Sequence, residues 1–349
     1  MAYTTIDDPA QYFNTVLYTG DIVDSDGTGH DQAITGVGFQ PDFVWHKGRS
    51  HARQHIIVDS VRGTGGGSAM LGISSQDGNA ASNSNTNGWI ESIDSDGITV
   101  TSGNDSSSKS NNAGANGNTY VIWNWKEDAT AGFDIVTYTG NDTNRTISHS
   151  LSAVPHWILI KATSRSDFWR VYHHKNTSAP ATDYLTLNAT DATSDNATEF
   201  QDTVPTSSVF TLGTSGNVNR NSESFVAYLW SEVKGFSKFG KYSANNNADG
   251  PFIYLGFRPA WLMLKVMDGN TGGWDLYDNK RGAFNGEISM LQANAGSAQA
   301  TSDAVDFLSN GFKIRNTSGN QNGSGDTIVY MAFAESPFVN SNGIPTNAR

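Results

Sequence analysis

Short apolar and aromatic runs alternate along the chain with stretches of Gly, Asn, Ser and Thr. Phe13-Asn14-Thr15-Val16-Leu17-Tyr18 and Tyr120-Val121-Ile122-Trp123-Asn124-Trp125 are runs of this kind. Their β-branched and aromatic side chains suit a pleated, half-buried surface. The polar stretches 63–67, 79–88, 103–117 and 316–325 carry the turn residues that would separate such strands. No stretch of about ten residues pairs a 3.6-residue apolar period with good helix formers, so the pattern predicts strands and little helix.

The pattern also repeats. An opening strand ending in Tyr plus a small polar residue starts at Phe13 and again at Phe133 and Phe239. A proline then leads an aromatic-aliphatic strand closed by Lys: Pro41 to Lys47, Pro155 to Lys161 and Pro259 to Lys265. Proline fits there because its missing N–H need not join the ladder. A closing strand begins, at equal spacing, at Tyr120, Phe225 and Tyr330. Between the last two landmarks, Asp59-Ser60-Val61-Arg62-Gly63 matches Asp278-Asn279-Lys280-Arg281-Gly282, while the middle copy reads His173-His174-Lys175-Asn176. Self-similarity of this kind implies tandem structural units. We therefore expect an all-β chain of three tandem antiparallel β-sandwich, jelly-roll-like domains, at residues 1–131, 132–235 and 236–338, with a C-terminal tail at 339–349. The junction at 230–236 is too short for a free linker, which favours packed neighbours and allows a pseudo-threefold arrangement.

Composition narrows the function. Charged residues make up 16% of the chain and its formal net charge is −12, with no basic stripe that would mark a nucleic-acid groove or an anionic membrane surface. There is no cysteine, which removes disulfides, thiolate catalysis and Cys-based zinc sites. No apolar run approaches the ~20 residues of a membrane span. The first dozen residues are polar and acidic, unlike a standard export signal. These features lead us to expect no nucleic-acid partner, no membrane insertion and no standard secretion.

Candidate chemistry is sparse. Asp24/Asp26 and Asp94/Asp96 are the carboxylate pairs at strand-face spacing, but both flank Gly in turn-like runs. A glycosidase would need such a pair about 5–5.5 Å apart, and a calcium loop would need a third ligand, for which Asp31 could serve the first turn. All eight histidines precede residue 175, so no histidine site belongs to the repeat. His51/His55 and His173/His174 lack a further ligand at metal spacing, and no Gly-x-Ser-x-Gly elbow is present. Trp45, Trp157 and Trp261 recur at one repeat position in an alternating strand and are expected in the core. Trp169 with Tyr172 and Trp274 with Tyr277 share a spacing on the next strand; they are the better candidates for a glycan or partner, with a place in the core as the favoured alternative. Asp59/Arg62 and Asp278/Arg281 are expected to form turn-stabilising ion pairs, or interface contacts at the same edge of two copies. We assign no catalytic residue, no metal ligand and no cofactor.

Three blocks of the chain resemble a domain family found in virion structural proteins of tailed, especially marine, bacteriophages. They are Met1-Ala2-Tyr3-Thr4-Thr5-Ile6-Asp7-Asp8-Pro9, the stretch from Asp249-Gly250-Pro251-Phe252 to Lys280-Arg281-Gly282, and Tyr330-Met331-Ala332-Phe333-Ala334-Glu335-Ser336-Pro337-Phe338. The resemblance implies a virion location after assembly in the bacterial cytoplasm, and a tail-fibre-like or lectin-like role. It also implies other virion proteins as partners, with bacterial surface glycan as a further candidate and homo-oligomerisation open. The resemblance brings no catalytic residues. Repeats begin by Phe13 and no heptad pattern occurs, so a short tail-tip adhesin for host attachment fits better than a long fibre. A capsid decoration protein and a glycan-cleaving depolymerase are the alternatives.

Overall fold

The first repeat forms β1 (Phe13–Thr19), β2 (Asp31–Ile34), β3 (Phe43–Gly48), β4 (Ile56–Asp59), β5 (Leu71–Gly72), β6 (Trp89–Asp94), β7 (Gly97–Thr101) and β8 (Thr119–Trp125). The structure, a computed structural model, describes residues 3–22, 30–73, 76, 88–101, 113–268, 271–282 and 285–346. The turn holding Asp24 and Asp26 lies outside them. The larger sheet has the order β1-β8-β3-β4-β5, and β2-β7-β6 is a small second sheet.

The second repeat forms β9 (Phe133–Thr139), β10 (Arg145–Ser148), β11 (Trp157–Ala162), β12 (Arg170–His173), β13 (Asp183–Thr186), β14 (Ser194–Asp195), β15 (Val209–Leu212) and β16 (Ser224–Trp230). It also carries two four-residue helices, Ala197–Phe200 and Gly216–Asn219. The third forms β17 (Ser237–Ser243), β18 (Phe252–Tyr254), β19 (Phe257–Val266), β20 (Trp274–Asp278), β21 (Ile288–Gln292), β22 (Ala300–Ser302), β23 (Val305–Leu308), β24 (Gly311–Ile314) and β25 (Thr327–Pro337). Their larger sheets run β9-β16-β11-β12-β13-β14 and β17-β25-β19-β20-β21-β22, each again accompanied by a small sheet. In all three, the opening strand pairs with the closing strand, which pairs with the proline-led strand. The fold is all-β and antiparallel, in sandwich layers.

The alternation of side chains gives each large sheet two apolar faces. The faces turned to the small sheets close three separate cores, around Ile34 and Val44, Ile158 and Phe210, and Leu262 and Phe312. The opposite faces meet in one shared core that takes Phe43, Trp45, Trp123 and Trp125 from the first repeat, Trp157, Trp169 and Trp230 from the second, and Trp261, Trp274 and Phe333 from the third. Rings there meet mostly edge to face, as with Trp125 and Trp261 at 5.5 Å and 89°, the arrangement their quadrupoles favour. The junctions are tight: Gly132 and Gly235 both adopt left-handed φ, at 69° and 81°, where a Cβ would crowd Ser231 and Thr4.

Register corrects two details of the sequence alignment. Phe43, Trp157 and Trp261 occupy the same place, opposite Trp125, Trp230 and Phe333, whereas Trp45 matches Leu159 and Met263. The closing strands also align differently: Tyr18, Tyr138 and Tyr242 face Tyr120, Phe225 and Ile328, so the third is displaced two residues from the Tyr330 alignment. A slip of two keeps every side chain on its face, so alternation could not detect it.

The chain ends meet. Ser341 donates from its N–H to Asp7 Oδ1 at 2.6 Å and from its hydroxyl to Oδ2. The described part of the tail folds back, Thr346 N–H donating to the Phe338 carbonyl at 3.2 Å. No helix among the described residues is long and apolar enough to cross a membrane.

Candidate functional site

The two Asp-x-x-Arg turns cap seams between repeats. At the end of β4, Arg62 Nε lies 2.6 Å from Asp59 Oδ2, and Tyr228 of β16 donates its hydroxyl to the same carboxylate at 2.7 Å. Arg62 also reaches the Tyr228 oxygen at 3.2 Å. At the end of β20, Arg281 Nε lies 2.5 Å from Asp278 Oδ2, which accepts the Trp123 indole N–H at 2.9 Å. The Arg281 guanidinium stands over the Trp123 ring at 5.2 Å. Both turns are therefore ion-paired and both contact a neighbouring repeat. Buried charges are tolerated here because each carboxylate has an arginine and a further donor.

The middle copy solves the same problem without charge. His173 holds the place of Asp59 and Asp278, and the strand facing its seam carries Met331 where the others carry Trp123 and Tyr228. Methionine offers no strong donor. His173 Nε2 instead donates to the Tyr330 carbonyl at 3.2 Å, while its Nδ1 accepts from the Lys175 N–H at 3.0 Å. Burial pushes its pKa down to about 3. Beside it, His174 Nε2 donates to the Phe239 carbonyl at 2.8 Å, and His156 Nδ1 accepts the Glu232 N–H at 3.0 Å.

The aromatic candidates are interior. Trp169 and Trp274 lie in the shared core, 0% and 1% exposed, so neither can stack on a glycan. Their indole N–H groups cross the seams, to the Gly72 carbonyl and to the Thr186 carbonyl, both at 2.9 Å. Tyr172 and Tyr277 face the outer cores of their own repeats. Sequence reading missed that His55 fills the slot of these tryptophans: it precedes Ile56 as they precede Arg170 and Asp275. Its ring accepts the Trp45 indole N–H at 2.8 Å, and burial pushes its pKa well down.

A second unforeseen set is the lysine closing each proline-led strand. Lys47, Lys161 and Lys265 are fully buried and reach the Gly296, Gln76 and Thr190 carbonyls of the neighbouring repeat at 3.3, 2.8 and 2.9 Å. Burial lowers Lys47 to about 7 and Lys265 to about 8. The common Lys position was visible in the sequence, but its burial was not. The lysine and indole contacts run in one cyclic sense, first repeat to third, third to second, second to first, and the closing strand of each repeat meets the turn of its neighbour in that same sense.

The Asp94/Asp96 turn is satisfied by protein donors. Asp94 accepts the hydroxyls of Ser92 and Thr99 at 2.7 and 2.8 Å, and Asp96 accepts the Gly36 and Gly38 N–H groups at 3.0 and 2.6 Å. Those amides pull the Asp96 carboxyl below its usual range. Among the described residues, no group of three His, Asp or Glu side chains could hold a metal ion.

The exposed chemistry lies elsewhere, around edge strand β18 of the third repeat. Phe252 and Tyr254 alternate with buried Ile253 on edge strand β18 and are 46% and 50% exposed. The Tyr254 hydroxyl meets that of Tyr3 at 3.2 Å, Lys238 lies 5.5 Å above the Tyr254 ring, and Lys234 lies 4.5 Å above that of Tyr3. An aromatic pair on the solvent face of a strand is the signal that could have found this patch.

Fold and seams define an all-β protein of antiparallel sandwiches joined through a common aromatic core. The chain belongs to DUF7483, a domain of unknown function, whose family model matches residues 8–337, across all three repeats. No curated protein and no solved structure matches it.

Proposed function

We propose that this chain is a non-enzymatic surface protein of a bacteriophage virion, a tail-associated, fibre-like adhesin for host attachment, with its repeats set about a pseudo-threefold axis. The supporting observation is the division of its side chains. The interior polar groups interlock three repeats into one body, and an aromatic and lysine patch at Tyr3, Lys234, Lys238, Phe252 and Tyr254 stands outside it. Aromatic faces stack on sugar rings and exposed ammonium groups hold hydroxyls or carboxylates, so the patch suits a bacterial surface glycan. The cyclic sense of the contacts between repeats supports the axis.

The test is to locate the chain on purified particles by cryo-EM or gold-labelled antibody, and to measure binding of the purified protein to host cells. Tail labelling with cell binding is the expected result. Labelling of the head without cell binding would favour capsid decoration, and absence from the particle would overturn the virion reading. Release of reducing ends from host polysaccharide would replace it with the depolymerase reading.

A further inference from the structure

One loop changes its charge between repeats. The connection after the proline-led strand runs from Lys47 to His55 in the first repeat and from Lys161 to Trp169 in the second, over the same number of residues. Both connections open on the same hydrogen bond: Arg49 N–H donates to the Thr119 carbonyl at 2.7 Å, as Thr163 N–H does to the Ser224 carbonyl at 2.8 Å. Arg49, His51 and Arg53 therefore hold the places of Thr163, Arg165 and Asp167. The second repeat's loop neutralises itself, Arg165 Nη1 lying 2.6 Å from Asp167 Oδ2. In the first repeat an arginine replaces that carboxylate and a further arginine is added. The third repeat has Met267 at the place of Arg49, its N–H donating to the Thr327 carbonyl at 3.0 Å.

The two arginines flank one short segment of the third repeat. Arg49 Nε donates to Gln299 Oε1 at 2.9 Å, and the Arg49 carbonyl accepts the Gln299 N–H at 2.8 Å. Gly296 packs on the Arg53 carbonyl, from which a Cβ would stand 3.5 Å, and its own carbonyl accepts from Lys47 at 3.3 Å. The segment Ala295-Gly296-Ser297-Ala298-Gln299 offers no carboxylate. Asp278, whose charge Arg49 feels, is already held by Arg281 at 2.5 Å and by the Trp123 indole at 2.9 Å. Among the described residues, neither Arg49 nor Arg53 forms an ion pair. Both side chains are half-buried, but of their nitrogens only Arg53 Nε is buried without a partner; the terminal nitrogens of each guanidinium are unbonded and open to solvent.

Lys47 adds to the positive excess from beneath. It is fully buried, and burial, with Arg281 and Arg53 nearby, lowers it to about 7. Like charges crowded at a seam destabilise one another until a counter-charge joins them. A guanidinium fork matches the oxygens of a phosphate or sulfate group in bidentate pairs, and two forks on one rim suit a group with several acceptor oxygens.

We propose that the loop carrying Arg49 and Arg53 is a binding site for one tetrahedral oxyanion, phosphate or sulfate, at the outer rim of the seam between the first and third repeats. Two arginines on a chain of net charge −12 make a site for a single group and not for a polyanion. A free anion and the terminal ester of a larger molecule present the same oxygens to the arginines.

Phosphorus NMR of the full chain, titrated at fixed ionic strength with inorganic phosphate and with glycerol phosphate, tests the site. At least one probe should show saturable broadening or shift. Arg49→Gln and Arg53→Gln should each weaken its binding about tenfold or more. Lys241→Gln, which removes an exposed cation far along the chain in the third repeat, should leave it unchanged, so that a general effect of net charge is told apart from the site. Circular dichroism checks each variant; should Arg53→Gln fail to fold, Arg49→Gln gives the same reading. Binding of inorganic phosphate alone supports a free anion as the ligand, and binding of the ester as tightly or more tightly supports a terminal ester. No saturable change with either probe, or equal affinity in wild type and Arg49→Gln, overturns the site.

Discussion

The Tyr228 hydroxyl of the second repeat donates to Asp59 Oδ2 of the first at 2.7 Å, and this bond explains why the turn repeats imperfectly. Wherever the closing strand presents a donor, Tyr228 or Trp123, the facing turn carries an Asp with an Arg behind it. Where it presents Met331, the turn carries His173, which finds a main-chain carbonyl. The departure of the middle copy is thus a compensation for a residue about 158 positions away.

Tyr228→Phe should therefore cost only about 0.5–1.5 kcal/mol, because Asp59 keeps its arginine. Asp59→Ala should cost about 3–5 kcal/mol, since it leaves the Arg62 guanidinium, 7% exposed, without its carboxylate. The double variant should cost less than the sum, because the bond can be lost once only. Urea titration of the four proteins measures all three quantities.

The shared core predicts cooperative unfolding. Each large sheet turns an aromatic face to its neighbours, so a single repeat cut out of the chain would expose Trp157, Trp169 and Trp230 or their counterparts. Calorimetry of the full chain should give one transition with a calorimetric to van't Hoff enthalpy ratio near one. The fragment 132–235 should show no dispersed amide spectrum. Three separate transitions, or a folded fragment, would contradict a common core.

Much of the fold was legible because strand alternation and turn residues are local signals. The repeat, the strand class and both Asp–Arg pairs follow from them. The site was less legible. Trp169 and Trp274 could be read as core or as glycan candidates because one sandwich has one obvious core, and only the packing of three repeats creates the second apolar face that buries them. The same packing hides Lys47, Lys161 and Lys265, whose composition suggests solvent.

The histidine seam should be acid-sensitive. Burial holds His173 down to about 3 and His174 to about 4, and lowers His156 as well. Nδ1 of His173 and of His156 accepts a main-chain N–H, so the folded protein needs both rings unprotonated. The unfolded chain binds these protons near pH 6.5, so the seam loses stability as pH falls from about 6.5 towards 4. Buried acids act in the opposite sense: Asp275 is pushed up to about 6 and Glu127 to about 7, and Glu232, beside the seam, is also raised. The histidine part is therefore read as a difference. His174→Gln keeps a neutral donor for the Phe239 carbonyl, and its melting temperature should gain on wild type as pH is lowered from 7 to 4. Parallel curves would show that the seam does not titrate.

The exposed patch and the buried tryptophans should separate binding from stability. Phe252 and Tyr254 are about half exposed, and the carbonyl that Lys238 caps at 2.9 Å belongs to the Tyr254 main chain, so Phe252→Ser with Tyr254→Ser removes side-chain contacts at the surface only. That double variant should change stability by no more than about 1 kcal/mol. Trp274→Ala should cost about 3–5 kcal/mol, since it empties a core site and strands the Thr186 carbonyl. Host-cell binding should follow the reverse order: reduced strongly by the Ser pair, and kept by Trp274→Ala at temperatures where that variant is folded. Residues i and i+2 on a strand stand about 6.6–6.8 Å apart, so the two rings can serve one extended ligand. Losing either ring alone should then weaken binding less than losing both. If the Ser pair binds cells as wild type does, the patch has no part in attachment.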